Sequence, residues 1–127
     1  MISLIGLHRK AWKLNSELVR RRGCNKRGFG NCFTCGKKIH WKKSNAGHYI
    51  HLKRMDFDEN NIQRQCIRCN LRLHGNLGRF AYCLIKRYGM IEIERLEALR
   101  YVDRKIKRQE LEEIIIKLKE QLLKMKK

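Results

Sequence analysis

Two cysteine pairs, Cys32-x-x-Cys35 and Cys66-x-x-Cys69, constrain this chain more than any other feature. Two residues between thiols let both sulfurs reach one ion about 2.3 Å away, so each pair can grip one side of a tetrahedral site. Thirty residues, 36–65, separate the pairs. That is longer than a compact zinc ribbon needs and leaves room for a functional insertion. A chain of 127 residues, 43% of them hydrophobic, builds one modest core, and a metal staple is useful at that size. Four thiolates leave no open position for water, so a zinc ion here is expected to be structural. The rival readings are a redox pair or unrelated buried cysteines, and no thioredoxin-like βαβ pattern surrounds the pairs. Cys24 and Cys83 lack partners at metal spacing, and Cys83 falls on an apolar helix face as a core residue.

Charge narrows the partner. Thirty-one Lys and Arg stand against 12 Asp and Glu, a formal net of +19. An excess that large attracts a polyanion, and the nucleic acid backbone is the commonest one. The plainer alternative is a ribosomal-type or merely sticky basic protein. No apolar run approaches the ~20 residues of a membrane span, and Met1–Gly6 is too short for the core of a signal peptide. The expected compartment is a reducing cytosol, where cysteines serve as metal ligands or free thiols rather than as disulfides.

Periodicity gives the elements. Leu7, Ala11, Leu14 and Leu18 recur at helical spacing and predict a helix over 3–22. The glycines of "RRGCNKRGFGN" predict a loop leading into "CFTCG", with Gly36 placed where such a turn wants a positive φ. The segments "AGHYI" and "NIQRQ" read as two strands joined by the polar loop "LKRMDFDEN". After Cys66 a helix is expected through Leu73, stopped by Gly75. Asn76 then caps a helix ending at Gly89, and a shorter one runs over 91–100. Leu111, Ile115, Leu118, Leu122 and Met125 form a stripe of barely two heptads. It either packs on its own domain or seams a homodimer.

Between the thiol pairs lies His48, on the first of the two strands, with Asn61 at the second strand and Asn70 directly after Cys69. A histidine on a hairpin, an asparagine in its loop and a following helix that carries a metal ligand is the order seen in ββα-metal, or HNH, nucleases. The stretch "CFTCG…NAGHYI…NNIQRQCIRCN…GNLGRFAYCLIKRYG" closely resembles the phage NinG/Rap family of recombination nucleases over roughly residues 31–89. The resemblance implies an α+β fold: a zinc-stabilised HNH-like core over 25–90, between an N-terminal amphipathic helix (1–24) and a C-terminal helical extension (91–127). It implies a phage-encoded, structure-specific endonuclease in the cytoplasm of the bacterial host. Its substrates would be Holliday junctions, D-loops and flaps, cut to leave a 5′-phosphate and a 3′-hydroxyl.

In that reading His48 is the general base, since a neutral imidazole near its ordinary pKa of ~6.5 can take a proton at cell pH. Asn61 fastens the hairpin loop and so orients His48; taken alone it is an ordinary turn asparagine. Asn70 offers its amide oxygen to a catalytic Mg²⁺ or Mn²⁺. His74, four residues on, either adds a second ligand from the same helix face, as in colicin-type nucleases, or simply ends the helix. One position departs from the pattern: many HNH proteins place an acid or histidine directly before the base, where this chain has Gly47. Asp56, Asp58 or a backbone carbonyl is then expected to supply the missing ligand. Lys53, Arg54, Arg64, Arg68, Arg72 and Arg79 are candidate phosphate contacts, any of which is also readable as solvated surface. The alternative function is a zinc-stabilised nucleic-acid-binding protein without catalysis.

Overall fold

The computed structural model describes residues 1–126. Helix α1, Leu4–Arg21, opens with Ser3 accepting a hydrogen bond from the Gly6 amide at 3.0 Å. Strands β1 (Phe29–Asn31) and β2 (Lys38–His40) pair antiparallel, as do β3 (Asn45–His48) and β4 (Ile62–Gln65). Helices α2 (Leu77–Tyr88), α3 (Met90–Arg100) and α4 (Arg108–Met125) complete a mixed α and β architecture.

The β3/β4 hairpin sits where the alternating segments place it, in the register Asn45↔Gln65 to His48↔Ile62. The β1/β2 hairpin lies outside the pairing of the two expected strands, although "IHW" beside β2 reads as β-like. Its three-residue strands are too short to express a period, and the glycines around them read as loop. It presents Cys32-x-x-Cys35 in its turn, and Gly36 there takes the expected positive φ of 78°.

The helix expected from Cys66 to Leu73 is reduced to a single turn of another type. A single π-helical turn, Arg68–Arg72, is followed by left-handed His74 (φ 51°), Gly75 (φ 93°) and Asn76 (φ 49°). Asn76 precedes α2 as expected but makes no side-chain cap. Its amide donates to Cys69 Sγ instead, at 3.7 Å. Cys83 is half-buried rather than in the core, with its thiol toward the Thr34 carbonyl.

The principal core joins Ile50 and Met55 of the β3–β4 loop to Phe80, Leu84 and Leu96 of α2 and α3. A second layer is helix on helix. Leu7 and Ala11 meet Leu111 and Ile115, and Leu18 meets Leu118 and Leu122, so α1 and α4 run in the same direction. The short heptad stripe is thus covered within its own chain, apart from Met125, which is exposed. Leu118→Ala should destabilise the protein by about 2–5 kcal/mol. Truncating Ile116, exposed on the opposite face, should change stability by no more than about 0.5 kcal/mol. Urea denaturation distinguishes the two, and equal losses would mean that α4 does not pack on α1.

Candidate active site

Cys32, Cys35, Cys66 and Cys69 bring their sulfurs within 4.8 Å of one another, the only such metal-ligating group among the described residues. The Cys35 and Cys66 sulfurs are 3.8 Å apart, which is the edge of a tetrahedron with metal–sulfur bonds of about 2.3 Å. Burial opposes ionisation of Cys32, yet backbone amides of Cys35, Cys66 and Thr34 and the Thr34 hydroxyl outweigh it and bring the thiol down to about 6. Burial, and then the adjoining sulfurs, push Cys35 up to about 12, and Cys66 is also raised. Four thiolates this close cannot all ionise without a cation between them. The cluster can hold a structural metal such as zinc.

Residues beside the cysteine cluster and residues beside the cleft are joined through the β3/β4 hairpin. Asn61, fully buried at the start of β4, accepts from the Ile50 amide (2.8 Å) and donates to the carbonyls of Ile50 (2.9 Å) and Met55 (3.1 Å). It therefore clips the loop both just after His48 and just before Asp56.

His48 faces an open cleft of about 800 Å³ whose walls include His8, Trp12, His51, Asp56, Asn70 and His74. Its Nε2 lies 2.8 Å from Asp56 Oδ1, and His8 Nε2 lies 2.8 Å from Asp56 Oδ2. Burial would raise the Asp56 carboxyl, but the hydrogen bonds and charge of His48 and then His8 overcome it and hold the group below its ordinary value. A carboxylate only accepts, so both histidines donate through Nε2. His48 Nδ1 makes no hydrogen bond among the described residues. The ring is sandwiched between Trp12 (centroids 4.8 Å apart) and His51 (4.3 Å).

Helix α1 supplies half of this arrangement. His8, Trp12 and Asn15 follow i, i+4, i+7 spacing, one residue ahead of the apolar stripe and so on the adjoining face. Asn15 donates to the Asp56 carbonyl at 2.9 Å. None of these three was singled out from the sequence, nor was His51. A polar and aromatic row beside the apolar one was the available signal.

The cation ligands expected on one helix face are not arranged that way. With only one π-helical turn after Cys66, Asn70 and His74 reach the cleft from separate turns. Asp58 is turned away: it takes a two-pronged contact from Arg95, both bonds at 2.9 Å. Asp56 is the carboxylate in the cleft. The departure at position 47 has a steric cause. A β-carbon there would lie 1.8 Å from Gln65 Oε1. The Gln65 amide is itself tied to Thr34 Oγ1 (3.1 Å) and the Gly75 carbonyl (2.9 Å). No side chain, an aspartate included, fits at 47 unless Gln65 moves.

A family model described as "Bacteriophage Lambda NinG protein" matches residues 6–127. The chain belongs to the NinG family. Among curated relatives it is 35% identical over 72 residues to "Protein ninG" of Salmonella phage P22 and of Escherichia phage 933W. Against "Protein ninG" of Escherichia phage lambda the identity is 33% over 72 residues. Each match takes in 53% of this chain and 34% of the relative, so the matched region is about a third of those proteins. No solved structure matches.

The basic residues expected at the NinG-like site divide by what their side chains touch. Arg64 is a staple, donating to the carbonyls of Asn31, Arg20 and Arg22 and packed over Gly30. Arg54 binds the Arg100 carbonyl, and Arg79 donates to the Thr34 carbonyl while lying over Tyr82. Lys53, Arg68 and Arg72 are exposed. The cations that line the cleft are Arg9 and Arg100, the second in a two-pronged contact with Glu97 (3.0 and 3.1 Å).

Because Asp56 titrates below the ordinary carboxylate range when folded, its contribution to stability is complete above that range and is lost as pH falls through its folded pKa. Asp56→Asn should therefore lower Tm at pH 7, and the deficit should shrink below about pH 4. A deficit unchanged across that range, followed by circular dichroism melts, would mean that the carboxylate's charge is not what ties α1 to the loop.

Proposed function

We propose that this chain is a metal-dependent phosphodiester hydrolase, a DNA endonuclease that nicks branched recombination intermediates. The observation that carries the reading is the imidazole of His48 on the wall of a cleft, held at Nε2 by a buried carboxylate. On a chain of net charge +19, the natural occupant of that cleft is a phosphodiester.

In this scheme a water in line with the phosphorus loses its proton to His48 Nδ1. Asp56 stabilises the imidazolium that forms and keeps the ring from turning, and His8 holds the far oxygen of that carboxylate. Trp12 and His51 fix the ring plane. Asn61 sets the distance between His48 and Asp56 by clipping both ends of their loop. Arg9 and Arg100 hold the non-bridging oxygens. A bound Mg²⁺ or Mn²⁺ supplies positive charge for the leaving oxygen. Of the cleft residues, the amide oxygen of Asn70 would be the hard donor left for such an ion, which keeps several waters and needs few protein ligands; both oxygens of Asp56 are already taken by His48 and His8. Resemblance to NinG/Rap nucleases favours junctions, with products bearing a 5′-phosphate and a 3′-hydroxyl. Two copies gripping opposite arms would have to pair through surfaces other than the α1–α4 seam.

The competing reading, a zinc-stabilised nucleic-acid-binding protein without catalysis, draws on Gly47, where no ligand can stand. A synthetic four-way DNA junction incubated with Mg²⁺ or Mn²⁺ separates them. Nicks that require His48 support the hydrolase. Binding with no nicks leaves the non-catalytic protein.

A further inference from the structure

A second basic surface lies at the far end of α1. The turn after α1, the loop Asn25–Gly28 that leads into the open end of the β1/β2 hairpin, and the turn Trp41–Lys43 enclose a hollow of about 660 Å³ walled by Arg21, Lys26, Arg27, Trp41 and Lys42, among others, with no carboxylate on its wall. Trp41 is its floor. The Arg21 guanidinium lies 4.5 Å from the indole centroid, Arg20 5.4 Å and the Lys42 ammonium 5.8 Å. Cations layered on an indole face are held in place without losing their outward donors.

The hollow is also stiff. Asn25 Oδ1 accepts from the amides of Arg27 (2.9 Å) and Phe29 (3.0 Å). Gly28, at φ 87°, lets this loop close on the His40 ring: a β-carbon there would lie 2.4 Å from His40 Nε2. His40 in turn accepts from the Lys42 amide at 3.2 Å. Arg20 joins α1 to this turn through Ser16 and the Trp41 carbonyl. Lys26, Arg27 and Lys42 are exposed, and their side chains make no hydrogen bond among the described residues. Nearby charges of the other sign are few. Glu17 pairs with Arg21 at 2.8 Å, while Arg22 is spent on the carbonyls of Glu59 and Ile62.

We infer that this Trp41 shelf is a second binding site for the phosphate backbone of DNA, taking the strand that leaves the His48 cleft. Helix α1 links the two places. Trp12 stacks on His48 and Arg21 on Trp41, nine residues apart, which is about 14 Å along the helix axis and half a turn around it. A strand joining them has to pass around α1 and so needs more than the roughly four nucleotides that the axial distance alone would take. The continuity of the strand rests on the hydrolase reading; the shelf's affinity for a backbone does not.

The test is fluorescence anisotropy with a labelled four-way junction and a labelled linear duplex, in the full-length His48→Ala protein so that cutting cannot intervene. The double change Lys26→Glu/Arg27→Glu should weaken binding by about tenfold or more. It should also make the slope of log affinity against log salt shallower by roughly two. The same charge change placed on exposed α4 residues, Lys117→Glu/Lys119→Glu, should leave affinity within about threefold and the slope unaltered. Trp41→Ala should weaken binding where Trp41→Phe does not. Circular dichroism and zinc content confirm that each variant is folded. Equal weakening by the loop and α4 pairs, or an unchanged slope with the loop pair, would overturn the shelf. A wild-type protein that fails to nick while the loop pair still weakens binding would remove the hydrolase and leave the shelf standing.

Discussion

His48→Ala should lower the rate at which a four-way DNA junction is nicked in Mg²⁺ or Mn²⁺ by about 10²–10⁴-fold, the range for a lost general base. Binding of the same junction should stay within a few-fold. The reason for the split is geometric. The imidazole is packed between two rings and bonded to one carboxylate, while phosphate affinity is spread over many cations. Losing the ring removes a proton acceptor but few charges. Asp56→Asn should also slow cleavage, because an amide cannot accept Nε2–H from both histidines on equal terms and cannot balance an imidazolium. Single-turnover cleavage beside anisotropy measures both quantities. Undiminished cutting by His48→Ala would remove that residue as the base.

The second large effect concerns the thiolates. Cys69→Ser should abolish stoichiometric metal and, with it, the cooperative fold. Cys69 is fully buried, and the cluster around it contains Cys32, Cys66 and a single aliphatic residue, Ile39. Between the two hairpins, then, there is almost no apolar core, and a metal would substitute for it. Structural zinc sites contribute apparent free energies of about 10–16 kcal/mol in small peptides. Whole domains are stable by only about 5–15 kcal/mol, so the loss exceeds what the helical layers can offset. Zinc content by elemental analysis, read beside thermal melts by circular dichroism, gives the answer. A metal-free Cys69→Ser protein that melts cooperatively at the wild-type temperature would show that the cysteines are packing residues and no more.

The two effects are separable in practice. A thiol variant should lose both binding and cleavage, because the β3/β4 hairpin that carries His48 is anchored beside the cluster through Gln65 and Cys66. A His48 variant should keep the metal, the melt and the affinity. Reversal of that pattern would mean that the cleft and the thiolate cluster are mechanically independent.

What could be read from the sequence was local. The Cys-x-x-Cys spacings fix which sulfurs can share an ion, because a short turn admits few geometries. The stripe Leu7, Ala11, Leu14, Leu18 fixes α1, and Asn61 beside alternating strands fixes a clipped hairpin. Each depends on residues a few positions apart, where backbone geometry converts spacing directly into direction. The short β1/β2 hairpin is hard to read because three-residue strands carry no period, and the helix after Cys66 shortens to a π turn followed by a left-handed run in which Asn76 serves a thiol. Tertiary structure alone decided the rest. Asp56 meets His8 forty-eight residues away, Arg64 is consumed by backbone carbonyls, α4 spends its heptad stripe on α1, and Gln65 closes position 47. Contacts between distant segments have no characteristic spacing: they are set by which faces must be buried together, and that is settled only when the whole chain packs.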